Sequence, residues 1–175
     1  RNSVGFDWHP ITKKLYFSDN GRDWLGDDSP ACELNVVNED GSFYGYPYKH
    51  AKDVIDPEFG DMIPSVDREF VDPIAELGAH VAPLGIAFYD SKEFPEKYHN
   101  SVFIALHGSW NRTKKSGYKV ILVKLDDNGN YLYQEDFITG WLSNETAWGR
   151  PAAPFVMSDG SLLVSDDKHN VIYKV

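Results

Sequence analysis

Apolar and polar residues alternate with a period of two along most of the chain, and helical periodicity is scarce, so the chain reads as short strands separated by polar turns. Three stretches of this alternation superpose. Arg1 to Gly21 (RNSVGFDWHPITKKLYFSDNG), Val81 to Gly108 (VAPLGIAFYDSKEFPEKYHNSVFIALHG) and Arg150 to Asn170 (RPAAPFVMSDGSLLVSDDKHN) each give an apolar strand, a polar hairpin, and a second apolar strand ending in small and polar residues. Trp8, Phe88 and Met157 are equivalent in this alignment, as are Gly5 and Gly85, and Arg1 and Arg150. Each pair is followed by further strand-like pieces: ELNVV and SFYGYP after the first, YKVILVKL and YLYQEDFITGW after the second, NVIYKV after the third. The unit recurs about every seventy to eighty residues.

Four strands per repeating unit is the pattern of a propeller blade, whose sheets pack radially around an axis. The expected fold is therefore an all-β partial β-propeller, with residues 1–175 as one domain of about two and a half to three blades. A closed propeller takes about four to eight blades, so the apolar faces of the end blades are expected to be covered by remaining blades of a longer parent protein. The alternative is a single sandwich of similar hairpins. Arg1, in place of an initiating Met inside a strand, suggests a fragment or processed product whose targeting signal would have lain upstream.

In an up-and-down blade, the loop entering the first strand and the loop leaving the second lie on the same face, because strand direction reverses each time. Entry loops supply Arg1 and Asn2, then His80, then Trp148 and Arg150. Exits supply Asn20, Gly21, Arg22 and Asp23, then His107 to Arg112, then Asp166 and Asp167. The stretch FIALHGSWNR thus reads as a buried strand delivering a functional loop, with Gly108 making the turn.

The composition sharpens this reading. With 42% hydrophobic and 14% aromatic residues the chain has the apolar surface for a core. Twenty-seven acidic against 17 basic residues give a formal charge of −10, which disfavours nucleic acid or an anionic membrane as partner. No apolar run is long enough for a membrane-spanning helix. Yet Arg1, Arg22, Arg112, Arg150, His80 and His107 are all sent to one face, a cationic centre in an acidic shell. Guanidinium forks match carboxylates, and Trp110 and Trp148 offer flat rings for stacking, so the expected ligand is planar and polyanionic. The competing reading pairs each Arg with a neighbouring Asp, such as Asp7, Asp19 or Asp23, in ordinary surface bridges.

Other motifs are weaker. The acidic stretch GRDWLGDDSPACELN offers Asp27, Asp28 and Glu33, with loop carbonyls, as oxygen ligands for calcium, although its spacing is not that of an EF-hand and such a stretch is more often a solvated loop. Cys32 is alone and reads as a small buried residue. His9, His50, His99 and His169 lack metal-ligand spacing and read as exposed or structural. No nucleophile elbow, phosphate loop or zinc pattern is present.

Taken together, RNSVGFDWHP, LYFSDNGRDWLGDD, CELN, FYGYP, AHVAPLGIAFY, HGSWNR and WGRPAAPFVMSDGSLLVSDD resemble the C-terminal part of the soluble sugar dehydrogenases that use pyrroloquinoline quinone (PQQ), especially the sorbosone dehydrogenase-like branch. The resemblance implies a six-bladed propeller of which this chain is roughly the later half, with PQQ, a flat tricarboxylate, on the face just described. By it, Arg1 and Asn2 contact the cofactor, Gly21 and Arg22 present backbone carbonyls to its calcium with Asn20 beside them, and His80, His107 and Arg150 fall at cofactor-contacting positions, Trp148 more loosely. A second calcium is implied near Glu33 and Tyr44. Where the glucose-specific branch carries a lysine this chain has His107, and Arg112 stands nearby as a replacement charge.

The implied reaction is PQQ- and calcium-dependent oxidation of an aldose or related sugar, with electrons passed to an acceptor. The histidine base would lie upstream of Arg1, so no catalytic residue is assigned here and the chain alone is expected to be inactive. The resemblance also implies a periplasmic or secreted protein. Two rival readings stand beside it: a calcium-dependent lactonase-type propeller hydrolase, and a non-catalytic propeller that binds partners.

Overall fold

The computed structural model describes residues 1–63 and 69–175. Fifteen strands follow one another among the described residues: β1 (Asn2–Trp8), β2 (Leu15–Asn20), β3 (Ala31–Val36), β4 (Lys49–His50), β5 (Val54–Ile55), β6 (Ala75–Ala79), β7 (Pro83–Phe88), β8 (Ser101–Leu106), β9 (Lys119–Leu125), β10 (Tyr131–Ile138), β11 (Leu142–Ser143), β12 (Thr146–Ala147), β13 (Pro151–Val156), β14 (Leu162–Asp166) and β15 (Val171–Lys174). Their antiparallel pairing builds three radial sheets, β1-β2-β3-β6, β7-β8-β9-β10 and β13-β14-β15, plus the short hairpins β4-β5 and β11-β12. The first strands stack in sequence, β1 on β7 and β7 on β13. This is the partial propeller that the repeat predicts, three blades of it.

The apolar runs of β8 and β9 record a sheet covered on both faces. Val102, Ile104 and Leu106 of β8, with Ile121, Val123 and Leu125 of β9, join Tyr16, Leu34 and Val36 in the core between the first two blades. Phe103, Val120 and Leu122, one residue out of phase, join Trp141, Leu162 and Val164 in the core between the second and third. A strand period of two thus splits one continuous apolar run between two interfaces.

The repeat glycines lie where first strands meet. A Cβ on Gly5 would fall 2.2 Å from the Leu84 carbonyl oxygen, and one on Gly85 would fall 2.7 Å from Ala153 Cα. Hydrogen bonds lace the same seam: Ser18 Oγ donates to Leu84 O at 2.6 Å, and the Phe88 N–H donates to Asp7 Oδ2 at 2.8 Å.

The outer faces of the end blades are bare. Val4, Phe6 and Trp8 line one face of β1, with Phe6 61% exposed, and Phe155 and Ile172 project from the third blade at 62% and 67%.

One strand expectation is corrected. SFYGYP is not the fourth strand of the first blade: Gly45 takes a positive φ and residues 46–48 form a turn rather than a strand, so the chain leaves the sheet there. β6 completes that blade after the long excursion that carries β4 and β5, pairing Cys32 with Gly78 and Leu34 with Ala75. Cys32 is buried, as expected, and burial pushes its thiol pKa up.

Candidate functional site: the rim of the first two blades

Strand reversal places the predicted loops on one rim. The registers Asn2↔Asn20, Pro83↔Leu106 and Pro151↔Asp166 mark equivalent ends of the three blades. Side chains fasten these ends to one another. Asn20 Nδ2 donates to Asn2 O at 3.2 Å and to Pro83 O at 3.0 Å, tying the first blade to the second. Arg150 does the same between the second and third, its Nε donating to His107 O at 3.0 Å and its Nη2 to Gly108 O at 2.6 Å, with the guanidinium over the Tyr118 ring. Gly108 makes the predicted turn with φ +103, and Tyr118 occupies the space a side chain would need there.

A cavity of about 170 Å³ opens on this rim, lined by Arg1, Asn2, Asn20, Gly21, Asp23, Cys32, His80, Ala82 and Trp110. Six residues predicted from different segments meet here. The Arg1 guanidinium bonds the Gly21 carbonyl and, at 2.8 Å, Asp23 Oδ2, while the Arg1 backbone nitrogen donates to Asp19 Oδ1 at 2.9 Å. His80, itself at φ +59, gives its Nε2 proton to Gly26 O at 2.7 Å, which leaves Nδ1 3.9 Å from Asp23 Oδ1, too long for a hydrogen bond. Trp110 is 66% exposed and meets Trp24 edge-on at 5.5 Å.

The structure does not bring the four guanidinium groups into one hollow. Arg22 turns away to the buried Asp56 carboxylate, bonding it and Glu58, the latter at 3.0 Å. Burial alone would raise the Asp56 pKa, but bonds from Arg22 and His50 and the N–H groups of Phe59 and Glu58 hold it well below the ordinary carboxylate range. The bond to Asp56 correspondingly raises the Arg22 pKa. Only the backbone of Arg22 remains beside Gly21.

The Arg112 side chain does not line this cavity. Its Nη1 donates to Asp27 O at 2.6 Å and its Nη2 to Asp28 Oδ1 at 2.8 Å, while the Thr113 N–H donates to Asp27 Oδ1 at 3.0 Å, so the residue latches the 22–28 loop of the first blade onto the second. His107 bonds Asp167 at 2.8 Å, and Trp148 donates to Gly140 O at 2.7 Å; neither side chain lines this cavity.

The proposed Asp27, Asp28 and Glu33 cation cluster is likewise not formed. The two aspartates serve Thr113 and Arg112, whereas Glu33 is buried in β3, accepting from Ala51 N at 2.7 Å and Asn35 Nδ2 at 2.8 Å. Burial raises the Glu33 pKa. Glu33 instead shares a second cavity, about 150 Å³, with Tyr44, Asp19 and Asn35. Asn35 is 1% exposed and its Oδ1 has no hydrogen-bond partner among the described residues. Among these residues no three His, Cys, Asp or Glu side chains converge on a metal position, so a cation in either cavity would depend on carbonyl, amide and hydroxyl oxygens as well as carboxylate.

Sequence reasoning missed Asp56. His50, which the sequence reads as exposed or structural, is structural: it is buried and bonds Asp56 Oδ2 at 2.7 Å. Nothing in the order of residues ties Asp56 and Glu58 to Arg22. His9 is also buried, its Nδ1 accepting the Thr12 N–H at 3.1 Å, and burial lowers its pKa.

The sequence profile of the TrAA12-like family matches residues 64–175. The chain belongs to the TrAA12-like family. An uncharacterized protein of Borreliella burgdorferi is 44% identical over 180 residues, covering all of this chain and 46% of that protein. This TrAA12-like chain therefore spans about half the length of the curated relative it matches. Among solved structures, the calcium structure of the Trichoderma reesei Carbohydrate-Active Enzymes Family AA12 protein superposes with a TM-score of 0.78 at 24% identity, over 99% of this chain and 51% of that one. The holo form of the pyranose dehydrogenase PQQ domain from Coprinopsis cinerea gives 0.68 at 20% identity, over 99% and 53%. The apo soluble aldose sugar dehydrogenase of Escherichia coli gives 0.64 at 20%, over 99% and 44%. These likenesses establish the shared propeller fold. No helix among the described residues is long and apolar enough to cross a membrane.

Proposed function

We propose that this chain forms the later blades of a larger, six-bladed propeller domain that oxidises a sugar with PQQ and calcium. The observation that carries the reading is the rim cavity between the first two blades, where Arg1, Asn2, Gly21 and His80 converge from separate segments. Membership of the TrAA12-like family supports it, as do neighbours described as a PQQ domain, a calcium structure and sugar dehydrogenases.

The donor set fits the group. Arg1 and the Asn2 amide suit a carboxylated ligand, and the carbonyl oxygens of Gly21 and Arg22 with Asp23 suit a hard cation, while Gly21 packs its bare backbone against Pro30 and Ala31, where a Cβ would fall 3.0 Å from Ala31 O. Arg1, Asn2 and the carbonyl oxygens of Gly21 and Arg22 would hold PQQ and calcium, which would supply a hydride acceptor and Lewis-acid polarisation for sugar oxidation. The chain's own residues bind and orient. Arg1 exchanges its bonds to Gly21 O and Asp23 for a ligand carboxylate, freeing oxygen donors for the cation. Asn20 and Arg150 hold adjacent blade ends in register, His80 and Arg112 fix the 22–28 loop, and the exposed Trp110 ring borders the cavity. His107 and Trp148 belong to the same rim through Asp167 and Gly140. The proton acceptor for the sugar hydroxyl is a histidine of a preceding blade, so the chain alone is inactive.

A second calcium belongs in the cavity of Glu33 and Tyr44, where the partnerless Asn35 Oδ1 supplies a buried oxygen. A sorbosone-type or other aldose is the substrate class, an external electron acceptor reoxidises the cofactor, and the protein works in the periplasm or outside the cell.

The test is dye reduction by the full-length parent, reconstituted with PQQ and calcium, against a panel of aldoses, with the 175-residue chain alone in parallel. Sugar-dependent turnover that needs both additions and is absent from the chain alone is the expected result. Metal-dependent lactone opening without quinone would establish the lactonase reading instead, and neither activity would leave a binding module.

A further inference from the structure

The seam between the first two blades ends, on the side away from the rim cavity, in a buried histidine that the proposed chemistry does not use. His9 opens the turn between β1 and β2 and is fully buried. Its Nδ1 accepts two backbone N–H groups of that turn, from Ile11 at 3.3 Å and Thr12 at 3.1 Å. The proton of the neutral ring is therefore on Nε2, which has no hydrogen-bond partner among the described residues. The ring meets Phe88 of β7 edge-on at 5.1 Å. Tyr16 of β2 meets the same phenyl at 5.2 Å, and its hydroxyl donates to Gly129 O at 2.9 Å. His9 thus fastens a turn of the first blade onto a strand of the second. A phenyl ring in this slot would bury no unpaired N–H, but it would leave the Ile11 and Thr12 donors without an acceptor.

Neutral imidazole suits this slot and imidazolium does not. A second proton must go on Nδ1, the atom at which both N–H groups point, so protonation turns two attractions into repulsions and leaves two donors unpaired. The charge would also lie out of reach of water. The neighbouring groups do not reverse this balance. Asp126 and Asp127 of the β9–β10 turn favour the imidazolium, but Asp126 is bonded by the N–H groups of Asn128 and Asn130 and by the Asn130 amide, and Asp127 by Asn100 Nδ2. Asp7 is committed to the Trp8 and Phe88 N–H groups. Lys13, in the same turn, opposes the charge, and Lys14 reaches away to Asn38. Tyr16 stays neutral, its hydroxyl pushed up to about 12 by burial and by Asp126. Burial outweighs both carboxylates and lowers the His9 pKa.

We propose that His9 is an acid-sensitive latch on the first seam: neutral, it pins the 9–14 turn onto the second blade, and protonated, it leaves its slot and frees the turn from Phe88. Linkage fixes the direction. The open turn takes up a proton near the ordinary histidine pKa of 6.5 and the closed turn only below it. Closure is therefore fully favoured above that value and weakens as pH falls through the closed-state pKa, by at most about tenfold per pH unit. The latch requires neither the quinone nor calcium.

The test is hydrogen exchange read by mass spectrometry on the full-length parent from about pH 7.5 to about pH 5.5, corrected for the intrinsic pH dependence of exchange. Carboxylates of ordinary or depressed pKa stay ionised over this range and add no slope. Opening of residues 9–14 should rise about three- to tenfold across it, while residues 162–166 of the third blade keep their protection. In H9N, whose side-chain oxygen accepts as Nδ1 does but does not titrate, the change should stay below about twofold. Deuterium uptake at His9 Cε1 in the same parent samples follows ring protonation without any variant, and its midpoint should fall below 6.5. A midpoint at or above 6.5, a change below about twofold at residues 9–14 of the parent, or an H9N protein that loses as much protection as the parent would overturn the latch.

Discussion

Replacing Gly5 or Gly85 with alanine tests whether the blades meet as described. Neither glycine has a positive φ, so alanine brings no backbone strain, and only the added methyl matters. Ordinary van der Waals contact begins at 3.4 Å. At Gly5 the new Cβ would sit 2.2 Å from Leu84 O and 2.8 Å from Ile86 N, both backbone atoms of β7, so the first two blades must part by more than an ångström. At Gly85 it would sit 2.7 Å from both Cα and Cβ of Ala153, a smaller but still rigid clash. Overpacking costs about 1–3 kcal/mol and occasionally more, offset by about 0.4–1 kcal/mol of lost unfolded-state entropy. The expected net losses are therefore about 2–3 kcal/mol for G5A and about 1–2 kcal/mol for G85A. Adding A153G to G85A should restore only part of the loss, because Ala153 Cα stays at 2.7 Å. The comparison variant is G26A: nothing lies within 4 Å, but φ is +106, so its cost of about 1–2 kcal/mol is purely conformational. Urea unfolding reads these as midpoint shifts of about 1 M or less to 2 M at unchanged slope. G5A as stable as the parent chain would refute the radial stacking of β1 on β7.

Asp56→Ala should remove the partners of Arg22, His50 and two backbone N–H groups and lower stability by about 3–5 kcal/mol, with Asp56→Asn losing less because its carbonyl oxygen still accepts the Glu58 and Phe59 N–H groups. Because the folded-state pKa of Asp56 is depressed, its contribution is fully present above the ordinary carboxylate range and fades as pH falls below it. Acid titration of stability should accordingly be flatter in D56N than in the parent. Arg112→Ala should raise hydrogen exchange at residues 26–28 and shift the Trp24–Trp110 fluorescence, and Arg112→Lys should rescue only partly, since one ammonium cannot reproduce the two-pronged grip on Asp27 O and Asp28. A combined F6S and F155S chain should show less self-association by light scattering than the parent, because each change removes an apolar side chain from a bare outer face.

The fold was legible where the sequence repeats a physical constraint. The runs at β8 and β9 read as strands and are buried on both sides of the pleat, and the glycines at 5 and 85, equivalent in the repeat, lie where neighbouring first strands meet. The fourth strand of the first blade was not legible, because AELGA is short, contains glycine and alanine, and pairs across a long excursion. Loop placement on one rim followed from strand reversal, as Asn2↔Asn20 and Pro151↔Asp166 attest. The destinations of the arginine side chains did not follow, because their partners are remote in sequence. Arg22 finds Asp56 and Arg112 finds Asp27 and Asp28, and no local pattern encodes either choice. Backbone topology gathers loops, whereas the nearest buried carboxylate or carbonyl decides where a guanidinium points.

The central claim is that the rim between the first two blades holds PQQ and its calcium. The most direct measurement is a crystal structure of the full-length parent grown with both. The account predicts calcium on the carbonyl oxygens of Gly21 and Arg22, with the Arg1 guanidinium moved from Gly21 O onto a quinone carboxylate. A quinone seated away from Arg1, Asn2 and Gly21, or a rim that stays empty at saturating quinone and calcium, would contradict it.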